Sequence, residues 1–215
     1  MSDDIQTSDV QIIAILRGIE TAEVEAVFGA LIKAGINRIE ITLNSTLALK
    51  SIELAARRFG DICKVGAGTV LTQQDVEQVA ACGAQFVVSP NCNPDVILAT
   101  RKAGLGSYPG IMTPSEAFGA IQAGATGLKV FPAEIIGPTG IKAMKAVLPP
   151  NIPVFAVGGA NPDNFSAYID AGCAGFGLGS FLYRRGDTAQ RVAVQAQIAV
   201  SAIKDIKRAA LEQIG

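Results

Sequence analysis

The sequence predicts one (β/α)₈ TIM barrel, a single domain over residues 1–215. Three observations carry that expectation. Short apolar runs alternate with amphipathic stretches eight times, with a unit of about 25 to 28 residues. Four units pass from helix to strand in the same way: Lys-Ala-Gly-Ile-Asn-Arg-Ile-Glu, Ala-Cys-Gly-Ala-Gln-Phe-Val, Gln-Ala-Gly-Ala-Thr-Gly-Leu-Lys and Asp-Ala-Gly-Cys-Ala-Gly-Phe-Gly. Each is a helix end, a glycine cap and a new strand. Finally, no dinucleotide fingerprint follows the first strand, which ranks an open doubly wound sheet second.

The elements follow in order. Residues 11–16 are a compact apolar run ending at Arg17-Gly18 and read as the first strand. Thr21 caps a helix with Val24, Val27, Phe28 and Leu31 at helical spacing, closed by Gly35. The second strand is 38–43 and the second helix 47–59. The third strand, 64–69, ends in Gly-Ala-Gly-Thr, and Thr72 caps the helix to Cys82-Gly83. The fourth strand is 85–89, and Pro94 opens a helix to about Ala103. A poor fifth strand, 105–108, is followed by Pro109-Gly110. Thr113-Pro114 starts the next helix. The sixth strand is 127–132, followed by a helix at 139–148. The seventh strand, 153–157, ends in Gly158-Gly159, and Pro162 opens a helix to Ala171. The eighth, 175–178, ends in Gly179-Ser180, and the last helix spans 187–211 on Val192, Ile198, Ile203 and Ile206.

Composition narrows the class. With 49% hydrophobic residues the chain can bury one sizeable core. Eighteen basic and nineteen acidic residues leave a net charge of −1, so no polyanion-binding surface and no nucleic-acid partner are expected. The start, Met1-Ser2-Asp3-Asp4, is acidic rather than the basic opening of a signal peptide. Apolar runs are interrupted within about ten residues, too short to span a bilayer. A soluble cytoplasmic protein without membrane contact is the expectation. The four cysteines, Cys63, Cys82, Cys92 and Cys173, form no Cys-x-x-Cys pair and read as buried free thiols. There is no histidine. That excludes a Ser-His-Asp triad, a Cys-His dyad and every His-based zinc site. No metal and no cofactor are expected, and proton transfer falls to Glu, Asp, Lys, Tyr or the substrate.

The sixth strand carries the chemistry. In Gly127-Leu128-Lys129-Val130-Phe131-Pro132 a lysine stands where a parallel strand normally carries an aliphatic residue. Burial lowers a lysine pKa, and a neutral amine forms Schiff bases with ketones. The competing reading lets Lys129 snorkel to the strand end and pair with a carboxylate. Glu40 alternates with Ile39 and Ile41, so it faces the barrel if they face the helices. It is either an ion-pair partner or, opposite a buried lysine, a proton shuttle. Arg17 is a surface residue or a bidentate grip on an anion. Thr69 and Ser89-Pro90-Asn91 follow the third and fourth strands. Gly158-Gly159 and Gly179-Ser180 follow the seventh and eighth, where barrels commonly hold a phosphate on backbone N–H groups.

Seven motifs together carry a resemblance: IIAILRG at 12–18, EITLNS at 40–45, VGAGTVL at 65–71, SPN at 89–91, GLKVFPAE at 127–134, FAVGG at 155–159 and GLGS at 177–180. Over nearly its whole length the chain resembles the class I 2-keto-3-deoxy-6-phosphosugar-acid aldolases. The resemblance implies a Schiff-base lysine at Lys129 and an acid–base glutamate at Glu40. It also implies substrate contacts from Arg17, Thr69, Asn44, Pro90 and Val157, and a phosphate site from Gly158, Gly159, Gly179 and Ser180. The implied partners are a phosphorylated 2-keto-3-deoxy sugar acid and two further copies of the chain in a homotrimer. Asn44 and Val157 stand where the gluconate-type branch carries arginine and threonine, and the chain is similar to the galactonate-type branch. The loss of a hydroxyl at Val157 bears on which C4 epimer is preferred. Ile111, Met112 and Phe181 carry no expectation for either branch. The remaining alternatives are a gluconate-type aldolase, a phosphate-binding isomerase or epimerase, and a non-catalytic sugar-phosphate-binding barrel.

Overall fold

A computed structural model describes residues 10–212; the acidic start Met1-Ser2-Asp3-Asp4 lies outside them. Within each strand the side chains alternate between two cores, as the period of two requires. In β1 (Gln11–Leu16), Ile12, Ala14 and Leu16 pack outward against helices, while Ile13 and Ile15 point into the barrel. In β2 (Arg38–Thr42), Ile39 and Ile41 join the helix-facing core, which turns Glu40 inward. The alternation continues through β3 (Lys64–Gly68), β4 (Phe86–Val88), β5 (Gly106–Tyr108), β6 (Gly110–Ile111), β7 (Leu128–Val130), β8 (Val154–Val157) and β9 (Gly175–Leu178). All strand pairs are parallel, in the order β5-β4-β3-β2-β1-β9-β8-β7-β6.

The expected fifth strand is present, but the barrel strand does not end with it at Tyr108. The chain runs straight on as β6, and Pro109, which has no N–H, splits one barrel strand into two. β5 pairs with β4 and β6 pairs with β7, so this single segment closes the ring and eight staves result. The carbonyl of Pro109 still accepts from Lys129 N at 2.9 Å. Glycine is needed here, because a Cβ on Gly110 would collide with the Pro90 carbonyl.

The helices are α1 (Val24–Lys33), α2 (Ala48–Phe59), α3 (Gln73–Ala81), α4 (Pro94–Lys102), α5 (Pro114–Gln122), α6 (Ala133–Lys145), α7 (Phe165–Asp170) and α8 (Ala189–Glu212). Thr72 and Thr113 cap α3 and α5, accepting from Asp75 N and Glu116 N. Three boundaries depart from expectation. Thr21 opens a short 3₁₀ turn, and its hydroxyl is hydrogen-bonded to that of Ser51 at 2.8 Å. α6 starts at Ala133 rather than 139, with a kink at Gly137 (φ 68°) and Pro138 restarting the helix. α7 starts at Phe165 because the Pro162 region forms side-chain-to-backbone turns instead.

The barrel's lower interior is filled by aromatic rings. Tyr108 meets Phe86 and Phe155 edge to face, with centroids 5.9 and 5.6 Å apart. Arg38 Nη1 donates to the Tyr108 hydroxyl at 3.0 Å. The cavity beside the strand ends that carry Arg17, Gly158 and Gly179 lies on the other side of this plug. All four cysteines are free; Cys63 and Cys173 are buried as expected, but Cys82 and Cys92 are only half-buried. Among the described residues no helix is long and apolar enough to cross a membrane.

Candidate active site

Lys129 projects inward from the middle of β7, since Leu128 and Val130 on either side pack outward. It is 7% exposed, and its Nζ lies 4.6 Å from the centroid of the Phe131 ring. Burial lowers its pKa; the charge of Glu40 opposes that and Arg17 reinforces it. The residues around it, Ile13, Ile15, Val88, Phe155 and Val157, are apolar. The snorkelling alternative fails on this geometry, because the amine sits among barrel side chains and not at a strand end.

Glu40 lies on β2, four strands around the ring from β7, and so across the barrel. It is 1% exposed and its Oε2 has no hydrogen-bond partner. Burial pushes its carboxyl up to about 7, against the pull of Lys129 and then Arg17. Room for it comes from β3, where Gly66 and Gly68 face inward. A Cβ on Gly68 would lie 2.6 Å from Glu40 Oε1. The result is an amine with depressed basicity facing a carboxyl that titrates near neutrality, in an apolar chamber. Such a pair can form an imine and move protons for it.

Above the chamber opens a cavity of about 540 Å³. Its walls include Arg17, Phe131, Val157, Asn161, Gly179 and Ser180, with Gly158 and Gly159 between them. Ile15, Val157 and Gly177 line both spaces, so the cavity leads down to the amine. Gly158 and Gly159 have φ of 98° and 71°. The side-chain amides of Asn161 and Asn164 both donate to the Gly159 carbonyl, at 3.0 and 2.9 Å. This clamp explains the missing first turn of α7. It holds the Gly159 carbonyl, while the Glu134 side chain lies against Gly159, its Oε2 2.6 Å from where a Cβ would stand.

Of the expected site residues, Arg17, Val157, Gly158, Gly159, Gly179 and Ser180 are brought together on the cavity wall, with Lys129 and Glu40 below. Thr69, Asn44 and Pro90 sit on the loops after β3, β2 and β4 and are not among the wall residues. Thr69 has φ 59°, unusual for a β-branched residue. Asn44 is exposed. Phe181 lies on the wall, whereas Ile111 is buried in β6 and Met112 is exposed. Sequence reasoning missed Phe131, Asn161, Tyr183 and Arg184. Phe131 was legible, because it lies two residues from Lys129 and shares its face. The others depend on loop conformation.

A hydrogen-bond chain fixes the turn that carries Arg17. Gly18 N donates to Ser45 Oγ at 2.8 Å, and Ser45 Oγ lies 3.2 Å from Thr42 Oγ1, so the end of β1 is tied to the end of β2.

The family model described as KDPG and KHG aldolase matches residues 4–208. The chain is 48% identical to a 2-dehydro-3-deoxy-6-phosphogalactonate aldolase of Escherichia coli strain K12, over 90% of this chain and 95% of that one. It is also 48% identical to a probable enzyme of the same name from Rhizobium meliloti, over 86% and 87%. A solved structure described as native KDPGal superposes with a TM-score of 0.91 at 47% identity, covering 92% of this chain and 96% of that one. A match through nearly the whole barrel, from relatives close to half identical, leaves one conclusion: the chain belongs to the KDPG and KHG aldolase family.

Proposed function

We propose that this protein is a class I aldolase that cleaves 2-dehydro-3-deoxy-6-phospho-D-galactonate to pyruvate and D-glyceraldehyde 3-phosphate. The observation that carries the reading is the buried, base-weakened Lys129 facing Glu40 beneath an open cavity. The neutral Lys129 amine attacks the substrate C2 ketone. Glu40 gives a proton to the carbinolamine oxygen as water leaves, forming an iminium. Loss of the C4 hydroxyl proton, to Glu40 directly or through water, then breaks the C3–C4 bond. The electron pair moves into the iminium, the aldehyde departs and the enamine of pyruvate remains. Protonation at C3 and hydrolysis release pyruvate and the free lysine.

In this reading Arg17 and Thr69 hold the substrate carboxylate, with Asn44 and Pro90 bordering the same end. Gly158, Gly159, Gly179 and Ser180 hold the phosphate, and that remote binding positions the reacting carbons. The galactonate preference is supported by the names of the two relatives and by Val157, which places no hydroxyl beside the C4 carbon. The chain assembles as a homotrimer in this proposal.

The test is a lactate-dehydrogenase-coupled pyruvate assay on the galactonate and gluconate substrates side by side. It is paired with borohydride reduction in the presence of pyruvate. Expected are faster turnover of the galactonate compound and a single adduct mapped by mass spectrometry to Lys129. An adduct elsewhere, or ligand binding without pyruvate release, overturns the proposal.

A further inference from the structure

The cavity wall carries two guanidinium side chains, Arg17 and Arg184, and one carboxylate, Glu134, borders it at Gly159, where a Cβ would lie 2.6 Å from its Oε2. A space lined this way suits a ligand with two anionic ends. The two cations divide the space between them. Arg17 acts electrostatically on both Lys129 and Glu40 and so stands at the reacting end. Arg184 acts on neither. It follows β9 and shares its wall with Ser180 and the double-glycine turn.

Arg184 is held but not neutralised. Its Nε donates to the Ser180 carbonyl at 3.2 Å, and its backbone N donates to Asp187 Oδ2 at 2.7 Å. That carboxylate is engaged by a different guanidinium, through Arg191 Nη1 at 2.6 Å. Among the described residues the Nη groups of Arg184 have no hydrogen-bond partner. The adjacent Arg185 differs: it pairs with Glu20 at 3.2 Å and lies over Gly18. Of two consecutive arginines, one is spent on a surface ion pair and the other presents free donors to the cavity.

We propose that Arg184 is a specificity-determining residue of this site: its guanidinium closes on the phosphate held by the Gly158–Gly159 turn and Ser180, selecting phosphorylated over unphosphorylated substrates. Backbone N–H groups bind an anion by dipoles alone, and a guanidinium adds charge and directed donors. Its Nε tether to Ser180 pre-orients the fork, which lowers the ordering cost on binding. The inference rests on the aldolase reading for its substrates, but its anion-binding core does not.

The experiment therefore has two arms, with Arg184→Gln, Arg184→Lys and Arg185→Gln beside the wild type. In the first, inorganic phosphate is titrated by calorimetry. Arg184→Gln is expected to weaken its Kd by about 10- to 100-fold, the range for losing a charge-assisted contact. Arg184→Lys should recover part of that loss and Arg185→Gln should lose none. In the second arm, pyruvate is condensed with D-glyceraldehyde 3-phosphate or with D-glyceraldehyde. Arg184→Gln should lose kcat/KM on the phosphorylated aldehyde alone, through KM, and leave pyruvate methyl-proton exchange unchanged. An unaltered phosphate Kd in Arg184→Gln, or equal losses on both aldehydes, overturns the role of Arg184. Absence of exchange in the wild type with the phosphate arm as expected overturns the aldolase reading and leaves the anion clamp standing.

Discussion

At the scale of single residues, one side chain and one backbone are held in states that cost free energy. Glu40 is buried without a partner for Oε2, and its carboxyl rises from 4.5 to about 7. A pKa raised by folding gives stability that is complete below the unfolded value and is lost as pH rises through the folded one. Wild-type protein should therefore weaken between about pH 4.5 and 7. Glu40→Gln, which cannot ionise, should gain relative stability over that window, by on the order of 3 kcal/mol. Thermal unfolding of both proteins from pH 5 to 8 checks this; a Tm difference that stays flat with pH rejects the buried-carboxyl account. The same variant should retain most substrate binding and lose most turnover. Thr69 is held by its backbone, with φ 59° in the left-handed region. Such strain costs about 1–3 kcal/mol, and glycine gives back about 0.5–1 in unfolded-state entropy. Thr69→Gly should raise stability by roughly 1 kcal/mol while raising KM, since the hydroxyl proposed to meet the carboxylate is gone. A drop in Tm would show that the hydroxyl serves the fold instead.

Elements matter through the space they leave as much as through what they present. β3 places glycine at both inward positions, Gly66 beneath the Phe86 ring and Gly68 against Glu40. A methyl on Gly68 would lie 2.9 Å from Glu40 Cδ and from Thr42 Cγ2. Neighbouring strands would fix the backbone, so the carboxylate would have to move. Gly68→Ala should fold, as judged by circular dichroism, yet lose about 100-fold in kcat, the cost of misplacing a reacting group by about 1 Å. Full activity in that variant would mean that Glu40 is not positionally constrained. The loop before α7 shows the complementary case. Asn161 and Asn164 look like ordinary turn residues, but they spend their amides on Gly159 and shape the double-glycine turn.

At the scale of the whole molecule, the ring closes through a strand interrupted by Pro109, and one end is plugged by Phe86, Tyr108 and Phe155. The outer surface still shows large apolar side chains, among them Leu98 on α4 and Phe118 on the adjacent α5. Surfaces of this kind commonly mark contacts with other chains. Light scattering on the purified protein should give the mass of three chains, and a monomer at micromolar concentration would reject the proposed trimer.

The sequence by itself determined the alternation of strands and helices and most of their bounds, and it set Glu40 and Lys129 within strands. Those features follow from periods of two and 3.6 and from glycine and proline punctuation, all local to a few residues. It also placed Arg17, Val157, Gly158, Gly159, Gly179 and Ser180 at strand ends. Only the tertiary structure decided that Glu40 stands across the barrel from Lys129 in one apolar chamber, that Pro109 continues a strand, and that Arg184 rather than Arg185 faces the cavity. The reason is physical: a local period says which way a side chain points, but what it meets depends on ring closure, strand register and loop hydrogen bonds between residues far apart in the chain.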